Sequence, residues 1–253
     1  MTPDDYLRQV LSRRRAPTGA LGPGGRVCQE LTPLIRQWAG QHLYEVKISG
    51  SYAKETAVKG ATDVDLFVSL RDSTPDTLAS LYRSLGKFMQ RNGYEVRWQN
   101  VSIGIAHRGL KVDLVPGRKQ SAWTSNHSIY VSKRDTWTLT NIDTHVRKVK
   151  ESGRQAEICL LKRWRDIHQV EAPSFCLELS ALRALRNRRL NNLAANLNAC
   201  FEYLRDELTS AVLIDPANTN NDVADDMTIS EKRAVAAMAR SSVEEQGWGD
   251  VIW

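Results

Sequence analysis

Asp63 and Asp65 alternate with apolar residues in "TDVDLFVSL", and Asp113 repeats the pattern in "LKVDLV". Residues two apart on a strand share a face, so Asp63 and Asp65 point one way while Val64, Leu66 and Val68 point into a core. An ionised carboxylate on such a strand is costly to bury unless a cation or strong donors offset it. Three on neighbouring strands can hold two Mg²⁺ ions about 3.5–4 Å apart, an arrangement suited to in-line phosphoryl or nucleotidyl transfer. Oxygen-only ligands favour Mg²⁺ or Mn²⁺ over zinc. Taken alone, an Asp-x-Asp pair is equally the polar face of an exposed strand. The combination with Gly50-Ser51, which ends a strand 13 residues before Asp63, favours chemistry. There a residue without Cβ lets backbone N–H groups approach a phosphate, and a hydroxyl can donate to it.

Such acids need a sheet to carry them. "YEVKIS", "TDVDLFVSL", "YEVRW", "VSIGIA" and "LKVDLV" read as strands, and 118–141 as an irregular polar stretch. Residues 4–15, 27–43 and 75–92 read as helices, the second through Val27, Leu31, Leu34, Ile35 and Trp38. "APTGALGPGG" is a loop, and 52–59 a short helix or loop. From Thr144 the pattern is helical over 144–169, 174–189 and 192–211, then again over 228–242 after a loop at 215–222. This order predicts an α+β fold: a catalytic lobe with a mixed β-sheet, packed against a C-terminal helical lobe. The expected division is 1–145, including the N-terminal helices, and 146–253.

The 253 residues allow one large domain or two small lobes sharing a cleft. With 42% hydrophobic and 25% charged residues the composition is that of a soluble globular protein. No apolar run is long enough to span a bilayer. Arg13, Arg14 and Arg15 lead into Ala16-Pro17-Thr18-Gly19 instead of an apolar segment, so a secretory signal is not expected. Cys28, Cys159, Cys176 and Cys200 form no CxxC pair and read as reduced core residues, which suits the cytoplasm. The net charge of +6 is uneven: from Asp215 onward eight acidic residues face three basic ones, while residues 1–214 hold 32 basic against 21 acidic. A basic body suits a polyanion such as a nucleoside triphosphate or RNA. Arg183, Arg186, Arg188 and Arg189 fit RNA or an acidic partner, but a solvated helix end complementing the dipole is the preferred reading. The histidines show no metal-ligand spacing.

"GSYAKETAVKGATDVDLFV" with "KVDLV" resembles the active-site signature of the DNA polymerase β-like nucleotidyltransferases. Similarity is greatest to the template-independent branch: CD-NTases, cyclic GMP–AMP synthase, oligoadenylate synthetases and archaeal-type CCA-adding enzymes. "LLKRWRD" followed by "APSFCLEL" resembles the family's helical region, and "DPANTNNDVA" its Asp-Pro…Asn segment. Together these motifs span about 48–224. The resemblance implies an active site in the cleft between the lobes. It makes Asp63, Asp65 and Asp113 the catalytic metal ligands for Mg²⁺ or Mn²⁺, with Asp113 also activating the acceptor hydroxyl. It gives Gly50 and Ser51 the β- and γ-phosphates and places Lys54 beside them. Lys162 and Ser174 are assigned to the triphosphate, and Phe175 to stacking on a base, a contact worth about 1–3 kcal/mol. From residue type alone, Lys162 reads as a solvated charge, Ser174 as a helix N-cap completed by Glu178, and Phe175 as core. One departure stands out: Glu55 occupies the place where the family usually has glycine. A carboxylate there either weakens phosphate binding, with Lys54 offsetting the charge, or faces solvent.

The preferred expectation is a Mg²⁺-dependent, template-independent nucleotidyltransferase that uses NTPs, ATP among them. It would make a linear or cyclic oligonucleotide second messenger, release pyrophosphate, respond to an RNA or protein activator, and serve antiviral defence from the cytoplasm. The alternatives are an RNA 3′-end nucleotidyltransferase of the CCA-adding or poly(A) type, which "AKET" suits, and a degenerate nucleotide- or RNA-binding module. The oligomeric state is left open.

Overall fold

The computed structural model describes all residues from Met1 to Trp253. The chain forms two compact units: Pro17–Glu55 with Thr62–Val146, and Met1–Ala16 with Thr56–Ala61 and Arg147–Trp253.

The first unit is built on a seven-stranded mixed sheet. Its strands are β1 (Leu43–Ile48), β2 (Val64–Leu70), β3 (Arg97–Trp98), β4 (Ile103–His107), β5 (Leu110–Lys119), β6 (His127–Val131) and β7 (Thr136–Thr140). The order β1-β2-β5-β4-β3 has β2 and β5 parallel and the other pairs antiparallel. β2 sits between two partners and is apolar on both faces, with Val64, Leu66, Phe67, Val68 and Leu70 all buried. β5 pairs with β4 through Leu114 and with β6 from Gly117 onward, so Pro116 falls in the break between those two ladders, where proline is tolerated. Two helices bury amphipathic stripes in this unit: α2 (Pro23–Ala39) through Val27, Leu31 and Ile35, and α4 (Leu78–Arg91) through Leu81, Leu85 and Met89. The stretch 118–141 is thus not irregular as expected from its polarity: it holds the β6–β7 hairpin. Its turn closes at Asp135, in the left-handed region (φ 48), which accepts a hydrogen bond from the Tyr130 hydroxyl. Gly50–Ala53 forms the one-turn helix α3 after β1.

The second unit is helical, with α1 (Pro3–Arg14), α6 (Gln155–Ile167), α7 (Ser174–Ala184), α8 (Leu193–Asp206), α9 (Ile229–Glu244) and α10 (Trp248–Val251). The helix expected over 144–169 is two: α5 (Ile142–Lys150) ends before Gly153, whose φ is 69, and α6 follows. The segment 215–222, read as a loop, carries a small hairpin of β8 (Ile214–Asp215) and β9 (Asn218–Asp222). α1 and α9 start with capping boxes, Thr2 with Asp5 and Thr228 with Glu231. Leu7 and Val10 of α1 join the core of Ile158, Leu161, Trp164, Leu177, Leu197, Phe201 and Val235. α1 therefore belongs to the helical unit, whereas the sequence reading grouped the N-terminal helices with the sheet. Cys159, Cys176 and Cys200 are buried in that core, and desolvation pushes the Cys159 and Cys176 thiols up to about 11. α6 is enclosed almost all round, so its buried charges must be paired. Glu157 meets Arg154 at 3.0 Å and accepts from Asn196 at 2.9 Å.

Candidate active site

The acids are positioned by register. Parallel pairing sets Asp65 of β2 opposite Asp113 of β5, and antiparallel pairing sets Asp113 opposite Gly104 of β4. Cross-strand partners share a face, so both carboxylates stand on one side of the sheet. Asp63 lies one residue before β2, half-buried, and its charge reaches Asp113. Burial, reinforced by Asp63, holds the Asp113 carboxyl above the usual carboxylate range, against lowering contacts from Gln99, Arg97 and Ser102. Burial and the same Asp63 charge raise the Tyr52 phenol.

The Gly-Ser turn meets Asp65 directly. Gly50 has φ 55, and a Cβ built on it would sit 1.7 Å from Oδ2 of Asp65. Only glycine allows this backbone to run so close to the carboxylate. The Ser49 N–H donates to the Asp65 carbonyl at 2.8 Å, which continues the β1–β2 pairing into the turn. Ser51 and Lys54 are buried, and the Lys54 N–H closes α3 on the Gly50 carbonyl at 3.1 Å. Glu55 follows with φ 62. A left-handed residue just past a helical turn is where glycine is favoured, which gives a backbone reason for the family's glycine at this place.

The sheet unit thus gathers Gly50, Ser51, Lys54, Asp63, Asp65 and Asp113. Lys162, Ser174 and Phe175 belong to the helical unit. The Lys162 ammonium is 1% exposed and donates to Glu178 at 2.6 Å and Thr56 at 2.9 Å, so its charge is balanced inside that unit and it is not a solvated lysine. Ser174 opens α7, but Pro173 occupies the cap, and the Ser174 hydroxyl accepts from Arg165 at 2.9 Å. Glu178 serves Lys162 and does not complete a cap. Phe175 is half-buried against the helical core.

No group of three His, Cys, Asp or Glu side chains is arranged to hold a metal ion outright. The Asp113 oxygens are engaged by Gln99 (2.8 Å) and, at longer range, Ser102 (3.4 Å). The donor set still fits a divalent cation: three oxygen-bearing acids, two of them repelling each other, a repulsion that the Arg97 guanidinium 4.0 Å from Asp113 offsets in part and a cation relieves further. Gln99, Ser102 and Gly104 were not recognisable from sequence. The polar run "QNVS" looks like any turn, and only the β4–β5 register brings it to Asp113.

Residues 34–154 match the nucleotidyltransferase domain family. A CCA-adding enzyme of Thermococcus gammatolerans is 32% identical over 122 residues, 46% of this chain and 25% of that protein. The cyclic AMP-AMP-AMP synthase of Escherichia coli MS 115-1 is 27% identical over 176 residues, 62% of this chain and 55% of that one. The chain therefore spans between a quarter and about half of these relatives' length. Among solved structures, E. coli MS115-1 CdnC in complex with HORMA-deltaN superposes with a TM-score of 0.78 at 20% identity, covering 96% of this chain and 90% of that one. The Bradyrhizobium diazoefficiens CD-NTase CdnG in complex with GTP gives 0.76 at 14% identity, over 99% and 95%.

Proposed function

Since the chain carries a nucleotidyltransferase domain and has the fold of the CD-NTases, we propose that it transfers a nucleotidyl group from an NTP to a hydroxyl, releasing pyrophosphate. Its preferred product in this reading is a linear or cyclic oligonucleotide second messenger, with ATP among the substrates. The observation that supports it most is the Gly50 backbone running against Asp65 while Asp65 stands in register with Asp113. That juxtaposes a phosphate-binding turn and an acidic row on one sheet.

Asp63, Asp65 and Asp113 would hold Mg²⁺ or Mn²⁺, whose chemistry when bound is neutralisation of phosphate charge and a lower pKa at the acceptor hydroxyl. The Gly50 backbone, lacking Cβ, admits the Asp65 carboxylate beside the turn, and the Ser51 hydroxyl is assigned to the phosphate oxygens. Asp113 is assigned to the acceptor hydroxyl, whose proton it takes. Ser174 and Phe175 are assigned to triphosphate and base. Lys162, assigned to the triphosphate by the resemblance, has its ammonium engaged by Glu178 and Thr56.

Incubation with Mg²⁺ and all four NTPs, with and without RNA, tests the reading through pyrophosphate release and mass spectrometry of the products. Asp65→Asn is expected to abolish both signals while leaving the fold intact. An unaltered Asp65→Asn enzyme refutes the site assignment. The likeness to the archaeal CCA-adding enzyme favours a second reading, nucleotide addition to an RNA 3′ end. RNA-dependent product lengthening that weakens steeply with salt selects it. CdnC was solved with a HORMA partner, so a protein activator of that class is proposed alongside RNA. No helix is long and apolar enough to cross a membrane, and a cytoplasmic site of action is part of the proposal.

A further inference from the structure

The turn between β3 and β4 carries a directed set of hydrogen bonds that ends on Asp113. The Gln99 N–H donates to the Ser102 carbonyl at 3.1 Å and closes the turn. The Gln99 carbonyl accepts from the Tyr82 hydroxyl at 2.6 Å and the Ser132 hydroxyl at 3.0 Å, fastening the backbone to α4 and to the turn after β6. The Ser102 hydroxyl has one proton and faces two acceptors, Gln99 Oε1 at 3.1 Å and Asp113 Oδ2 at 3.4 Å. One proton cannot serve both well, and the shorter contact takes it. This fixes the Gln99 amide with Nε2 toward Asp113, where it donates to Oδ1 at 2.8 Å. Gly104 provides the opening: a Cβ there would lie 2.7 Å from Gln99 Nε2 and 3.1 Å from Asp113 Oδ1. Asp113 is left with Oδ1 fastened by Gln99, with the Arg97 guanidinium 4.0 Å from the same oxygen, while Oδ2 faces the Ser102 oxygen at 3.4 Å without its proton.

We infer that Gln99 is a positioning residue for Asp113, oriented in turn by Ser102, and that the two set the affinity of the acidic site for a divalent cation. This rests on the nucleotidyltransferase reading above. A carboxylate with one oxygen tethered has already lost its rotational freedom when a cation arrives, and the other oxygen keeps its lone pairs for coordination. Hydrogen-bond partners of ligating groups typically account for about 10–100-fold in metal affinity.

The test is Mn²⁺ binding to the full chain without nucleotide, followed by electron paramagnetic resonance of the unbound ion, beside thermal unfolding in chelator. Gln99→Leu is expected to weaken Mn²⁺ binding about 10–100-fold. Ser102→Ala should weaken it less, and Ser102→Thr, which keeps the hydroxyl, should restore it. A purely structural role would lower the unfolding temperature and leave Mn²⁺ affinity unchanged well below it. A folded Gln99→Leu protein that binds Mn²⁺ like wild type overturns the inference; should that variant fail to fold, Ser102→Ala decides by the same criterion. Wild-type protein that binds no Mn²⁺ overturns the cation site itself and the inference with it. Unchanged binding in the variants alone overturns only the role of Gln99 and Ser102.

Discussion

Replacing Gly50 with alanine separates backbone strain from damage to the acids. The new Cβ would fall 1.7 Å from Asp65 Oδ2 and 2.6 Å from its Cγ, where ordinary contact begins at 3.4 Å. The Asp65 carboxylate must therefore shift by well over 1 Å or rotate away. A misplacement of about 1 Å at reacting groups costs about 10²-fold in rate. Alanine at φ 55 adds about 1–2 kcal/mol of strain, which in a chain of this size lowers the unfolding temperature by roughly 2–8 °C. Gly109→Ala is the control: its φ of 76 imposes the same kind of strain, but nothing lies within 4 Å of the added Cβ. The expected result is a loss of unfolding temperature in both variants, at least as large in Gly50→Ala, with pyrophosphate release falling about 100-fold or more only in Gly50→Ala. Equal turnover in the two variants, measured at a temperature where both are folded, would refute the claim that this turn grips the active carboxylate.

Three more outcomes follow from the same geometry. A carboxyl whose pKa is raised on folding stabilises the native state in acid and loses that contribution as pH rises through the raised value. Asp113→Asn should therefore unfold at a higher temperature than wild type at pH 7 in chelator, with the advantage vanishing as the pH falls and Asp113 becomes protonated. Lys162→Met leaves Glu178 charged and buried and should cost about 3–5 kcal/mol in denaturant unfolding, much of it recovered by Lys162→Met with Glu178→Leu; an unchanged midpoint in the single variant would contradict the buried pair. Glu55→Gly relieves a left-handed side chain and should leave the protein equally stable or up to about 1 kcal/mol more stable, read as the unfolding midpoint.

Local pattern carried a good deal. Period-2 alternation marked β2 and β5, helical spacing marked α2 and α4, and the acids were legible because a charged residue in an apolar strand contradicts its surroundings. The β6–β7 hairpin was not legible, because Thr, Ser and Lys dilute its apolar signal to a few residues. Lys162 was not legible either: on a helix, a lysine that is enclosed looks the same in sequence as one that is solvated, and its partner Glu178 comes from α7.

Residue types and their spacing along the chain were enough to nominate the acids and the Gly-Ser turn as candidates and to suggest a class of chemistry, since side-chain periodicity and charge cost are local properties. Which carboxylate faces which, how Gly50 meets Asp65, and that Gln99 and Ser102 hold Asp113 depended on strand register and chain crossing. Those bring residues far apart in sequence within hydrogen-bonding distance, and no local preference encodes them.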